Sequence, residues 1–427
     1  MDIATLYQMF KESKGICTDN RKVQKGQIFL ALKGDNFNGN NFAKQAIDAG
    51  AAYAIVEENV GEGEQFILVA NSLATLQALA KYHRQQFSIP VIALTGSNGK
   101  TTTKELVATV LEKKYKVHYT KGNLNNHIGI PLTLLEMPMD TEIAVIEMGA
   151  NHQREIAGYC EYVLPGYGLI TNIGKAHLEG FGGIEGVLKG KTELYQYIGA
   201  HGGKLFVSDM AQNLLDKSAE FVDKDKLVFY GQKATSLVVG ERIPNQVFLA
   251  FRWNNNEVKT QLVGDYNIEN ALSAICIGVY FNVPESAICE ALAGYSPSNN
   301  RSQMTVYKDN KFVMDAYNAN PSSLTVALQN FDTLEAVSKM VIIGEMMELG
   351  EYSKEEHQKI VGVVSDMKLE MRIFVGNGFS FLQADDSVLY FENTQKLKSW
   401  FDAQAFSNKT ILLKGSRKNA LENLLRD

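Results

Sequence analysis

Residues 91–111 constrain this chain more tightly than any other stretch. A short apolar run, VIAL, leads into Thr95-Gly96-Ser97-Asn98-Gly99-Lys100-Thr101-Thr102. A helical segment follows at once, with an apolar stripe at Leu106, Val107, Val110 and Leu111. Strand, glycine turn and helix in that order describe a phosphate-binding loop inside an α/β fold. The glycines let backbone N–H groups turn toward phosphate oxygens, and the helix N-terminus adds positive potential. Lys100 is placed to reach β- and γ-phosphates, and the Thr101 hydroxyl to ligate Mg²⁺. The longer form of this motif has glycine where Leu94 stands, and a plain helix-capping turn would also use Thr and Asn. The flanking strand and helix favour phosphate. Gly61-Glu62-Gly63 and Gly376-Asn377-Gly378 each lack the third glycine of a dinucleotide fingerprint and read as turns.

A chain of 427 residues corresponds to about three domains at roughly 150 residues each. With 45% hydrophobic and 21% charged residues it has ample material for buried cores, which excludes a disordered chain. The net charge of −6 gives no basic excess for nucleic acid or an anionic membrane surface. Cys17, Cys160, Cys276 and Cys289 are scattered without metal-ligand spacing, which points to a reducing compartment and no structural zinc. The N-terminal segment has no signal-like apolar core, and no apolar run approaches membrane-spanning length. The reading is a cytoplasmic protein, expected as a monomer, with no nucleic-acid or membrane partner.

Three domains are expected, at 1–88, 89–297 and 298–427. In the first, QIFLAL and AYAIVE read as strands around the helix FAKQAIDAGA, and a helix from Leu73 runs to about Phe87. Pro90 marks the boundary. In the second, VIAL, EIAVIEMG, YGLITNIG and KLFVSDM alternate with helices, the pattern of a mostly parallel sheet. QVFLAFRW and EVKTQLVG alternate at period two about an Asn turn, which predicts an appended antiparallel hairpin. After the linker GYSPSNN, the runs FVMDAY, MVIIG, RIFVG and ILLKG predict a Rossmann-like third domain.

Candidate chemistry sits where strands end. Glu147 closes EIAVIEMG, in the crevice where α/β sheets bind ligands and where a Mg²⁺ carboxylate belongs; a solvated strand end is the plain alternative. For His177, in a Gly- and Asn-rich loop, metal ligation and simple hydrogen bonding are equally open. Lys191 lies on a predicted helix and reads locally as a solvated face residue. Asp315 follows the strand FVMDA, and Asn320 before Pro321 predicts a helix cap. Arg301 either contacts phosphate or stacks on the surface.

Taken in order, TGSNGKTTTKE, KGNLNNHIGIPLTLL, IEMGA, NIGKAHLEGFGG, LKGKTELY, GDYNIENALSA, DAYNANPSS, GEMMELG and LLKGSR resemble the ATP-dependent Mur ligases of peptidoglycan synthesis, whose phosphate loop is the short form. TDNRKVQKGQIFLALKGDNFNGNNF resembles the UDP-binding first domain shared by the last two amino-acid-adding ligases. DAYNANPSS and GEMMELG resemble the group that adds D-Ala-D-Ala, and the DNPR motif of the third-residue-adding group does not occur. The resemblance implies ligation of D-Ala-D-Ala to UDP-N-acetylmuramoyl-tripeptide (UDP-MurNAc-tripeptide) through an acyl-phosphate, with ATP and two Mg²⁺ ions. By position, Thr95 through Thr102 and Lys100 would hold ATP phosphates. Thr101, Glu147, His177 and a carbamylated Lys191 would serve the metal sites, while Asn270, Arg301 and Asp315 would contact ATP. Asp19, Arg21 and Lys33 would bind the UDP end, with Asn20 where the family has Ser or Thr. Asn126 and, near the dipeptide or acyl-phosphate, Lys414, Ser416 and Arg417 complete the set. Closure of the third domain over ATP is part of the same expectation. A third-residue-adding ligase and a non-catalytic nucleotide-binding homologue are the rival readings, separated by amine profiling and by substrate-dependent phosphate release.

Overall fold

The computed structural model describes residues 1–426 apart from 245, 298–300, 302, 384 and 386. Residues 298–300 of the expected linker thus lie outside the described residues. Three main sheets carry the fold, with a small ribbon at Lys33–Gly34 and Phe37–Asn38 beside the first.

The first sheet is parallel, in the order Ile16–Cys17, Ile28–Leu30, Tyr53–Val56, Phe66–Leu68. Ile28, Phe29 and Leu30 are all buried, because helices cover both faces as a parallel sheet requires. Helices Ile3–Glu12 and Ser72–Arg84 bury Leu6, Tyr7, Leu76 and Leu79 on one side. Ala43 and Ala46 of helix Ala43–Asp48 pack on Phe29 and Ala54 on the other. The buried Arg84 guanidinium donates to the carbonyls of Phe87 (2.9 Å), Val163 (3.0 Å) and Leu164 (3.3 Å). Hydrogen bonds as well as the chain therefore tie this helix to the central sheet.

The central sheet has nine strands. Its order is Asn256–Val263, Phe248–Trp253, Val238–Ile243, Leu227–Gly231, Lys204–Ser208, Tyr167–Ile170, Val91–Thr95, Ile143–Glu147, Val117–Tyr119. Among the described residues only Phe248–Trp253 runs against the rest, so its pairings with Asn256–Val263 and Val238–Ile243 are the antiparallel ones; Asn256–Val263 and Phe248–Trp253 are joined by a turn. They form the expected hairpin, turned by Asn254 in the left-handed region that Asn tolerates. Helix Lys100–Leu111 buries Leu106, Val107, Val110 and Leu111, the predicted stripe, in the same cluster as Leu272 and Ile275 of helix Ile268–Tyr280.

The third sheet runs Gln303–Tyr307, Asn310–Asp315, Thr410–Lys414, Lys339–Gly344, Met371–Val375, Leu389–Phe391, antiparallel only at its first pair. Both outer strands are partly exposed, unlike the mostly buried inner ones. Helix Pro321–Thr333 starts with the predicted cap: Asn320 Oδ1 accepts from Ser323 N at 2.9 Å, in a reciprocal capping box. Among the described residues no helix is long and apolar enough to cross a membrane.

Candidate active site

Strands Ile143–Glu147, Val91–Thr95 and Tyr167–Ile170 lie side by side and parallel, with Leu94 opposite Glu147 and Thr95 opposite Ile170. Their carboxyl ends therefore deliver three loops to one place. A cavity of about 780 Å³ opens there, lined by Ser97–Thr102, Glu147 and His177 from this sheet and by Arg301, Asp315 and Lys414 from across it.

The loop is held in a single shape. Ser97 N donates to Asn172 O and Asn98 N to Asn172 Oδ1, both at 3.0 Å, and Thr171 Oγ1 donates to Asn98 O at 2.6 Å. Thr95 Oγ1, beneath the cavity, donates to Met148 O at 2.6 Å. Gly96 has φ +141°, and a Cβ there would lie 2.0 Å from Thr171 Oγ1. Gly99 has φ +78°, and its Cβ would lie 2.7 Å from Asn270 Oδ1. Only glycine meets both demands. Leu94, by contrast, is a fully buried strand residue, so the glycine of the longer motif has no role at that position. Lys100 Nζ donates to the carbonyls of Gly96 (2.6 Å) and Ser97 (3.1 Å). Burial pushes its ammonium down to about 8, with Glu147 opposing and Arg301 adding to the shift.

Glu147 is buried at the floor. Its Oε1 accepts from Asn125 Nδ2 at 2.7 Å and from Thr101 Oγ1 at 3.1 Å, and its backbone N donates to Thr120 Oγ1 at 2.9 Å. Its Oε2 is buried with no hydrogen-bond partner among the described residues. An orphaned carboxylate oxygen beside a threonine hydroxyl and a phosphate loop fits Mg²⁺, which takes one or two carboxylates and fills its octahedron with water and phosphate oxygens. Among the described residues no three His, Cys, Asp or Glu side chains converge as a self-sufficient cage. Asn126 lines the cavity, but its Oδ1 is occupied by the chain entering helix Gly129–Leu135, accepting from Ile128 N (3.1 Å) and Gly129 N (2.8 Å). Asn125 is the one that reaches the carboxylate, and nothing in NLNNH distinguishes the two beforehand.

Lys191 corrects its local reading as a solvated residue. It is fully buried, its Nζ donating to Ala150 O at 2.9 Å and lying 5.0 Å from the Phe181 ring centre. Burial, reinforced by the Lys100 charge and opposed by Glu155 and Glu193, holds its amine well below the usual lysine range. Helix Ile184–Ala200 turns Lys189 outward and Lys191 inward, and Glu193 is spent on the backbone N–H groups of Arg154 (2.5 Å) and Ala157 (3.0 Å). Lys191 sits behind Ala150 of the lining rather than in the cavity itself.

The opposite wall belongs to the third sheet. Asp315 and Lys414 face each other in register at adjacent strand ends and form an ion pair, with Lys414 buried. The Arg301 guanidinium stacks 3.6 Å above the Tyr317 ring centre, and Arg301 lines the cavity wall. Asn270 is buried, donating to Asn267 Oδ1 (2.9 Å) and accepting from Thr103 Oγ1 (3.0 Å). Contacts stitch the two walls: Asn320 Nδ2 to Asn98 Oδ1 (2.7 Å), Lys175 N to Ser322 Oγ (2.9 Å), Lys175 Nζ to Glu356 (2.6 Å), Asp265 N to Asn330 Oδ1 (2.8 Å) and His177 Nδ1 against Glu348 Oε2. The His177 contact holds the Glu348 carboxyl below its usual range against the effect of burial.

Other expected site residues stand apart from this cavity. Arg21 forks onto Asp19 at 2.8 and 2.9 Å on the first sheet's surface, holding that carboxyl down to about 2. Lys33 pairs with Glu58 at 3.0 Å, and Asn20 Nδ2 donates to Gln45 at 3.1 Å. Arg417 pairs with Glu422 at 2.5 Å, and Ser416 Oγ accepts from Asn419 at 2.8 Å.

Comparison with known proteins explains the assembly. The description "Mur ligase family, catalytic domain" matches residues 12–84, "Mur ligase middle domain" residues 94–278 and "Mur ligase, glutamate ligase domain" residues 300–417. The UDP-N-acetylmuramoyl-tripeptide–D-alanyl-D-alanine ligase of Bacillus subtilis is 33% identical, over 97% of this chain and 92% of its own. The chain belongs to the Mur ligase family. The Escherichia coli protein of the same name is also 33% identical, over 96% of this Mur ligase and 92% of its own length. A crystal structure of MurF from Acinetobacter baumannii superposes with a TM-score of 0.87 at 30% identity, covering 99% of this chain and 97% of the other. MurF ligase from Thermotoga maritima in complex with ADP superposes at 0.84 with 25% identity, covering 97% and 96%. This Mur ligase is accordingly an ATP-dependent ligase that forms carbon–nitrogen bonds, built as the three-unit α/β fold of its family.

Proposed function

We propose that this Mur ligase joins D-Ala-D-Ala to UDP-MurNAc-tripeptide at the cost of ATP, by way of an acyl-phosphate. The observation that carries the site assignment is the buried Glu147 with one unpartnered oxygen, set beside Thr101 at the mouth of the phosphate loop. The names of the relatives support the substrates.

The first step brings two anions together: the tripeptide carboxylate attacks the γ-phosphorus, the bond to the β–γ bridging oxygen breaks, and ADP leaves. Charge neutralisation is then the dominant requirement. Lys100 leaves the carbonyls of Gly96 and Ser97 for the phosphates, and Arg301 adds a second cation from the opposite wall. Thr101 and Glu147 would hold one Mg²⁺ and His177 would face a second, and bound metal would add neutralisation of phosphoryl oxygens. Lys191, whose amine burial holds well below the usual lysine range, is suited to add CO₂, forming an N–C bond and releasing a proton; the resulting carbamate would be an anion behind Ala150 of the cavity lining. Contacts between the walls hold them together over the cavity, and closure there would shield the acyl-phosphate from hydrolysis. The dipeptide amine then displaces phosphate and gives up its proton. Lys414 and Arg417 are assigned to the dipeptide side and Asp19, Arg21 and Lys33 to the UDP end. The working unit is a cytoplasmic monomer of three domains, 1–88, 89–297 and 298–427.

The test is phosphate release by the purified chain with MgATP, UDP-MurNAc-tripeptide and D-Ala-D-Ala, each omitted in turn, with the product read by mass spectrometry. Release that needs every component, with a UDP-muramoyl-pentapeptide product, is expected. Turnover with diaminopimelate or L-lysine on the dipeptide precursor instead would assign a different member of the family. Nucleotide binding without turnover on any amine would refute ligation.

A further inference from the structure

One contact across the cavity goes beyond the roles assigned above. His177 follows the central strand Tyr167–Ile170, and Glu348 follows the third-sheet strand Lys339–Gly344. Glu348 Oε2 lies against His177 Nδ1, a buried nitrogen that makes no aligned hydrogen bond among the described residues, and Glu348 O accepts from Glu179 N at 3.4 Å. Both residues hold left-handed backbones, φ +53° at His177 and +61° at Glu348. Such conformations are uncommon outside glycine and persist where surrounding structure imposes them. Two such backbones meet here at a single side-chain contact. Glu155, the carboxylate at the start of helix Glu155–Val163, is already taken up by Asn151 N (2.7 Å), His152 N (3.1 Å) and His152 Nδ1 (3.7 Å).

A neutral imidazole carries one hydrogen, and the nitrogen left bare is the one that ligates or accepts. Ligating histidines commonly give the other N–H to a carboxylate, which fixes both tautomer and ring direction. We propose that Glu348 is the positioning residue for His177: it takes the Nδ1 hydrogen, so that Nε2 is the nitrogen presented for ligation. The proposal rests on the reading of His177 as a metal ligand only for its consequence, not for the tautomer. The consequence is that docking of the third sheet sets which histidine nitrogen the central sheet offers.

The experiment uses the full chain, metal-free and selectively ¹⁵N-labelled at histidine, at a pH above the ordinary histidine range. Two-bond nitrogen–proton spectra, with His177 assigned by its loss in H177A, are expected to place the hydrogen on Nδ1. A wild-type hydrogen on Nε2 overturns the proposal without any variant. E348A should lose the preference, whereas E348Q, which keeps an acceptor oxygen, should retain most of it. An unchanged tautomer in E348A overturns the proposal. Mn²⁺ titration with a non-hydrolysable ATP analogue, read by electron paramagnetic resonance, should show about tenfold weaker binding in E348A. If E348A shifts the tautomer but H177A leaves Mn²⁺ binding unchanged, the positioning role stands and the metal role of His177 falls.

Discussion

Gly96→Ala puts a number on how firmly the phosphate loop is built. At φ +141° an alanine is strained, which costs about 1–3 kcal/mol. Its Cβ would also lie 2.0 Å from Thr171 Oγ1 and 3.0 Å from Thr171 N. The threonine must rotate away and abandon its 2.6 Å bond to Asn98 O, a loss of about 1–3 kcal/mol in a buried setting. The sum is about 4 kcal/mol. Thr171→Ala alone gives up the same bond and a methyl group, about 2 kcal/mol. In the double variant the bond is lost once and the hydroxyl collision is gone, so its destabilisation falls short of the sum by about 1–2 kcal/mol. Urea unfolding measures this if the transition followed is the one that ADP shifts, since three sheets need not unfold in one step. Additivity within about 0.5 kcal/mol would refute the collision. A Gly96→Ala protein as stable as the wild type would refute the strain argument too.

Three further outcomes follow from the same geometry. Glu147→Gln keeps the side chain's size but removes its charge, so calorimetry should show Mn²⁺ affinity in the presence of ADP reduced at least about tenfold, with metal-free ADP binding unchanged. Lys100, at about 8 against an ordinary 10.5, should make ADP affinity fall as pH rises through about 8, because the ammonium is lost. Between those two values the unfolded chain holds a proton the native chain has released, so stability rises with pH there, and Lys100→Met should flatten both slopes. Arg84→Ala leaves three carbonyls without their donor and should lower stability by about 2–4 kcal/mol in chemical unfolding; Arg84→Lys, without the fork, should not restore it.

What the sequence disclosed is local in origin. The glycine turn of the phosphate loop, the turn about Asn254 and the Asn320 cap are each marked within about ten residues, although Thr171 and Asn172 hold the phosphate loop's final shape from far along the chain. Lys191 is the counterexample. Its burial is made by Phe181 and by the carbonyl of Ala150, so its own helix pattern pointed to solvent, and only the family resemblance marked it. Glu348 was legible as part of GEMMELG but had no role, because its partner His177 is supplied by another sheet. The edge strands Gln303–Tyr307 and Leu389–Phe391 are partly exposed and the sequence does not mark them: the first mixes Gln and Thr with its apolar residues, and the second is only three residues long.

The arrangement of strands also decides where error enters turnover. Glu147 and the phosphate loop hang from neighbouring strands of one plate, and Asp315 and Lys414 from neighbouring strands of another. Within each plate the ladder spacing is stiff, so the slack lies in the angle between plates. A tilt of roughly 3° over a strand's ~20 Å moves its tip by about 1 Å, and a displacement of that size costs about a hundredfold in rate. Lys175, Ser322, Asn330 and Glu356, none of them assigned to nucleotide or substrate, make the contacts that span the two plates. Substitutions there would imitate the loss of a reacting group while every reacting group stayed in place.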